Sequence, residues 1–204
     1  MQRHAKQRDA LMQKIIRPLA EFISQHPNGE RVFAYDLINE PEWALRGTNP
    51  CGDPGYTPLE EVTPVSHEFM ERFLLELAQT LRAAAHGGHT PLLTIGQVSP
   101  EWRHAWRNLP LDFNQWHLYT WMQTKTEYYA RSPVALGFCE RPVVIGEMPI
   151  GGLHAEQSFE AAIRDLRAKG YAGAWAWSYH QGRVPKGARL RAMLPAARAL
   201  RQSD

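Results

Sequence analysis

The stretch Arg31–Trp43, RVFAYDLINEPEW, decides how the rest of the chain is read. Val32, Phe33, Ala34, Tyr35, Leu37 and Ile38 form an almost continuous apolar run. That is the pattern of a strand buried on both faces in a parallel sheet. Asn39, Glu40, Pro41, Glu42 and Trp43 follow with no turn residue between. A carboxylate at the end of a buried strand carries a desolvation cost. The run therefore predicts a strand over Arg31–Glu40 whose end has a use for an acid.

Outward from this strand the chain alternates. Before it, Leu11, Ile15, Leu19 and Phe22, with Ile16 and Ile23 beside them, give helical spacing over Arg8–Gln25, ended by Pro27, Asn28 and Gly29. After it, a loop ALRGTNPCGDPGYTPLEEVTP leads to a helix over Ser66–Ala85, capped by Ser66 and stopped by Gly87 and Gly88. Pro91–Gln97, Phe113–Tyr119, Pro142–Met148 and Gly173–Tyr179 read as strands, and Glu156–Lys169 as a helix. Leu190, Met193, Leu194, Ala197 and Leu200 suit a closing amphipathic helix. Strands alternating with helices, without repeats or a low-complexity linker, predict one α/β domain over residues 1–204 with a helix-covered parallel sheet.

Composition excludes more than it assigns. With 44% hydrophobic and 22% charged residues the chain is ordinary for one globular domain. A formal charge of +2 gives no case for nucleic acid, and the basic cluster from Arg183 to Arg201 reads as the solvated face of the last helix. No segment approaches the ~20 apolar residues of a membrane helix. The N-terminus MQRHAKQRDA is polar, so no secretion signal is visible and localisation stays open. Cys51 and Cys139 lack nearby Cys or His partners and read as free thiols. The nine His are scattered without a His-x-His pair, so neither a metal nor a cofactor is expected.

The strand ends carry the signal. Functional groups of parallel α/β folds gather at the carboxyl ends of strands. Here those ends hold Asn39-Glu40, His117 and Tyr119, Glu147, and Trp177-Ser178-Tyr179, with Gln97 as a weaker fifth. A single strand-end acid is as well explained by an ion pair. Glu40 and Glu147 together fit retaining glycoside hydrolysis, which needs two carboxyl groups about 5–5.5 Å apart.

INEP at one strand end, HLY on a later strand, VIGEMP after it and WAWS on the last strand resemble glycoside hydrolase clan A, within it the cellulase and mannanase-like family five group. The resemblance implies a TIM-type (β/α) barrel and a retaining endo-β-glycoside hydrolase acting on β-linked glucan or mannan. It implies Glu40 as acid/base, Glu147 as nucleophile and Asn39 as the group holding the sugar 2-hydroxyl. Tyr119 would hold the nucleophile, His117 would meet substrate or acid/base, and Trp177 would stack on the sugar. Alternation gives Trp175 the same side as Trp177. Trp43, Trp102, Trp106 and Trp121 follow strand ends and read either as subsites or as packing.

The chain departs from the family in length. A full barrel has eight βα units in ~250 residues, whereas five strands are read here, matching the fourth to the eighth. The expectation is an incomplete barrel with open edges at Arg31–Glu40 and Gly173–Tyr179, prone to self-association or in need of an N-terminal part. The alternative function is a non-catalytic carbohydrate-binding or interaction remnant of such a barrel, or an inactive fragment.

Overall fold

The computed structural model describes residues 2–85, 88–119, 122, 128–149 and 158–177. Two compact units emerge: Met1–Ile95 with His104–Asp112, and Gly96–Arg103 with Phe113–Asp204. Five strands make one sheet, in the order β1 (Ala34–Asn39), β4 (Leu92–Gln97), β5 (Asn114–His117), β6 (Val143–Pro149), β7 (Gly173–Trp177). The pairs β4–β5, β5–β6 and β6–β7 are parallel. The expected α/β architecture is therefore present.

In the first unit a helical run precedes the sheet: α1 (Gln2–Leu11), a π turn (Met12–Ile16) and α2 (Arg17–Gln25). The expected apolar stripe is not the buried face. Ile15, Leu19 and Phe22 are exposed, while Met12, Ala20 and Ser24 are buried. The wider π turn rotates the register between the two helices. Small Ala20 and Ser24 also allow a close approach: a Cβ at Gly88 would collide with the Ser24 carbonyl. Close packing against Ser24 thus gives Gly88 a role beside the helix end. The next helix, α3 (His67–Ala84), ends at Ala85, and Ser66 caps its start by accepting from the Phe69 N–H at 3.2 Å. Its Leu74, Leu77, Ala78 and Leu81 are buried.

The loop before α3 is more ordered than its composition suggests. Two short strands, β2 (Leu45–Arg46) and β3 (Val65–Ser66), pair in parallel within it. Leu45, fully buried, anchors that ladder.

The strand over Arg31–Glu40 is shorter and less buried than expected. Arg31 ends a 3-10 turn, Phe33 is 57% exposed, and only Leu37 of β1 is buried. The reason is position: β1 and β7 are the outermost strands of the sheet, whereas β4, β5 and β6 lie within it and are almost wholly buried. An apolar run does not distinguish an edge from a centre.

The second unit packs Trp116, Leu118, Ile145 and Met148 against Phe159, Ile163 and Leu166 of α4 (Phe159–Ala168). Burial of each such side chain contributes about 1.5–3 kcal/mol. This holds the middle of the sheet rigid where functional residues leave it. Trp121, Ser178-Tyr179 and the closing helix lie outside the described residues.

Candidate active site

In the second unit, β5 and β6 bring three of the expected residues together. Tyr119 donates its hydroxyl hydrogen to Oε2 of Glu147. His117 Nδ1 lies 3.6 Å from the same oxygen. His117 is the last residue of β5, while Tyr119 stands two residues beyond it and is not in the strand. Its backbone is fixed there: Met122 N–H donates to the Tyr119 carbonyl at 3.0 Å, and Leu118 N–H donates to the Glu147 carbonyl at 2.8 Å. Both ring groups therefore meet one carboxylate oxygen, and Glu147 is only 9% exposed.

A bulge makes this possible. Trp116 pairs with Ile145, but His117 pairs with Glu147, so β6 carries one extra residue at Gly146. The β6–β7 register shifts over the same interval. Bulges re-aim side chains and recur beside active sites. Gly146 leaves this space open: a Cβ there would meet Oε1 of Gln115, which would have to shift, and stand 3.2 Å from His117 Cδ2. The glycine directly before an acid in VIGEMP was the available sequence signal.

In the first unit Glu40 follows β1 in a left-handed conformation (φ 47°, ψ 50°), one that non-glycine residues rarely adopt. Such a conformation costs on the order of 1–3 kcal/mol and persists where surroundings impose it. A 3-10 turn over Pro41–Ala44 follows immediately. Trp43 Nε1 donates to Glu40 Oε2 at 3.0 Å. Trp43 thus meets the acid itself through a hydrogen bond. Asn39 ends β1 with its side exposed.

Behind this turn lies a buried polar cluster. Glu42 is 1% exposed and its Oε1 accepts from Trp106 Nε1 at 2.8 Å. Trp106 stacks on His67 with centroids 5.0 Å apart, and His67 Nδ1 is 2.8 Å from the Tyr56 hydroxyl. Burial lowers the His67 pKa, opposed by nearby Glu71. Burial first, and then the charge of Glu42, push the Tyr56 hydroxyl up. Tyr56 thus keeps its proton, and its hydroxyl shares a hydrogen bond with Nδ1 of a neutral His67. Glu42, His67 and Tyr56 were not singled out in the sequence; the second acid of Glu-Pro-Glu-Trp was the visible sign.

The remaining aromatics divide. Trp175 and Trp177 are 42% and 44% exposed and alternate with Ala174 and Ala176, so they share a face as expected. Trp106 is core, and the Trp102 carbonyl accepts from Gln97 at 2.9 Å. Gln97 and Trp106, both buried, therefore fit packing roles. Cys51 and Cys139 are free.

No protein-family description and no curated protein matches the chain. Among solved structures, it is similar to the crystal structure of a β-1,4-D-mannanase from Cryptopygus antarcticus, with a TM-score of 0.64 at 16% identity. The match covers 91% of this chain and 57% of that one, so the chain spans little more than half of its neighbour's length. At this identity the likeness shows the fold: a TIM-barrel type that is incomplete among the described residues, with five strands of eight.

Proposed function

We propose that the protein is a retaining β-glycoside hydrolase of the clan A type, with Glu147 as nucleophile and Glu40 as acid/base. The observation that carries this reading is the Glu147 carboxylate, held through Oε2 by Tyr119 with His117 beside it. A nucleophilic carboxylate must stay ionised and oriented, and a phenolic donor on one oxygen serves both needs. The other oxygen, Oε1, attacks the anomeric carbon as the bond to the leaving oxygen breaks. Glu40 gives that oxygen its proton, then takes one from the water that opens the glycosyl ester. Asn39, at the end of the same strand as Glu40, is assigned to the sugar 2-hydroxyl. His117 is assigned to the substrate side of Glu147, and Trp177, Trp175 and Trp43 to sugar contacts. The solved neighbour is a β-1,4-mannanase, which favours β-linked mannan among the candidate polymers.

An activated 2-deoxy-2-fluoro mannoside tests the roles. Wild-type protein and Glu40→Ala are expected to gain the mass of one fluoro-sugar, and Glu147→Gln to gain none. Azide should restore turnover of Glu40→Ala on an aryl glycoside with a good leaving group and give the β-azide. Azide rescue of a Glu147 variant with retained stereochemistry would reverse the assignment.

A carbohydrate-binding module without catalysis is the second reading, favoured by the paired exposed rings of Trp175 and Trp177. It predicts that polymer binding survives Glu147→Gln while turnover is absent from every form.

A further inference from the structure

The acid/base assigned to Glu40 has to be aimed, and the backbone that aims it is an irregular single-residue turn. Immediately after it, Pro41 and Glu42 are buried. An inward-facing carboxylate two residues beyond a strand-end acid is costly unless bonded. Here the Trp106 indole supplies that bond at 2.8 Å, from a separate segment of the same unit. Stacking on His67, itself 2.8 Å from Tyr56, holds the indole plane in turn. Trp43 closes the turn on the other side: its N–H donates to the Glu40 carbonyl at 3.2 Å, its indole to the Glu40 carboxylate at 3.0 Å. The Trp43 carbonyl is in turn tied to Leu59 N–H at 3.0 Å.

We propose that Glu42, locked by Trp106, is a positioning residue that fixes the left-handed turn and so aims the Glu40 carboxyl; this rests on the acid/base reading of Glu40. The lock needs a hydrogen-bond acceptor at position 42, not a charge. Glu42→Gln keeps that acceptor, Glu42→Leu removes it, and Trp106→Phe keeps the stack while removing the donor.

Two measurements on the full chain test this. On a substrate with a poor leaving group, Glu42→Leu and Trp106→Phe are expected to lower kcat about 10²-fold with KM unchanged, the scale of a misplaced catalytic group. On a dinitrophenyl glycoside, which needs little protonation, the loss should be far smaller, and Glu42→Gln should stay near wild type on both. Equal losses on the two substrates, or Glu42→Gln as impaired as Glu42→Leu, would overturn the proposal. The second measurement is the Trp43 indole N–H resonance, assigned with Trp43→Phe and read without substrate. It should move in Glu42→Leu and Trp106→Phe as it does in Glu40→Ala, and an unmoved resonance would also overturn the proposal. Full turnover by Glu40→Ala would instead strike the acid/base reading, a failure separable because the resonance does not depend on activity.

Discussion

Glu40 and Glu147 are presented by different means. Glu147 lies inside a strand, and a one-residue bulge with side-chain contacts from the neighbouring strand's end sets its direction. Glu40 lies just past a strand as a left-handed residue; the Trp43 indole donates to its carboxylate, and the buried Glu42–Trp106 pair follows in the next turn. The first arrangement relies on the sheet's interior, the second on an edge strand and the loop behind it. On the proposed roles, the attacking carboxylate stands on rigid central strands, and the one that exchanges a proton is aimed by a turn.

The largest expected effect breaks the Glu147 side. Tyr119→Phe removes a hydrogen bond to a charged group, worth about 1.5–3 kcal/mol, so kcat/KM on an aryl mannoside should fall about 10- to 10²-fold. An unchanged value would mean that Tyr119 does not hold a working nucleophile.

Next is the bulge. Gly146→Val forces atoms into space taken by Gln115 and His117. Overpacking of this kind costs about 1–3 kcal/mol, to be read as a lower urea midpoint. A midpoint equal to wild type would show that the bulge relaxes freely, and the contrast with the Glu40 turn would lose its basis.

The polar cluster behind Glu40 gives a pH signature. Burial holds the His67 pKa below its ordinary 6.5 in the folded state. The unfolded chain then binds the proton more readily, so stability rises with pH across that window. The contribution of neutral His67 is fully present above about pH 6.5 and is lost as pH falls toward the lowered folded value. His67→Gln should flatten the fall in urea midpoint between pH 7 and 5. Parallel curves for wild type and variant would refute this.

The smallest effects compare the units directly. Ser66 caps α3 in one and Ser158 caps α4 in the other, each accepting at 3.2 Å. Each Ser→Ala change should cost about 1 kcal/mol. If residues 1–204 fold as one domain, as the composition predicts, both variants lower a single thermal transition. Two transitions, each moved by one variant, would count against a single domain.

Much of this was legible in the chain. The alternation of strands and helices, the Ser66 cap and the acids at strand ends follow from local pattern, because side-chain period and capping chemistry act within a few residues. The family resemblance implied that Tyr119 would hold Glu147, and that hydrogen bond exists; it implied His117 against substrate or acid/base, whereas its ring lies 3.6 Å from the Glu147 carboxylate. Sequence alone therefore determined the α/β class, the helix cap and the identity of the candidate acids. Only the tertiary structure decided that β1 is an edge, that the π turn faces Ile15, Leu19 and Phe22 outward, and that β6 bulges at Gly146. It also decided that Glu42 is buried against Trp106. Each of these depends on what another segment places alongside: a neighbouring strand's register, a helix's approach, an indole 64 residues away. Local periodicity carries no information about such partners.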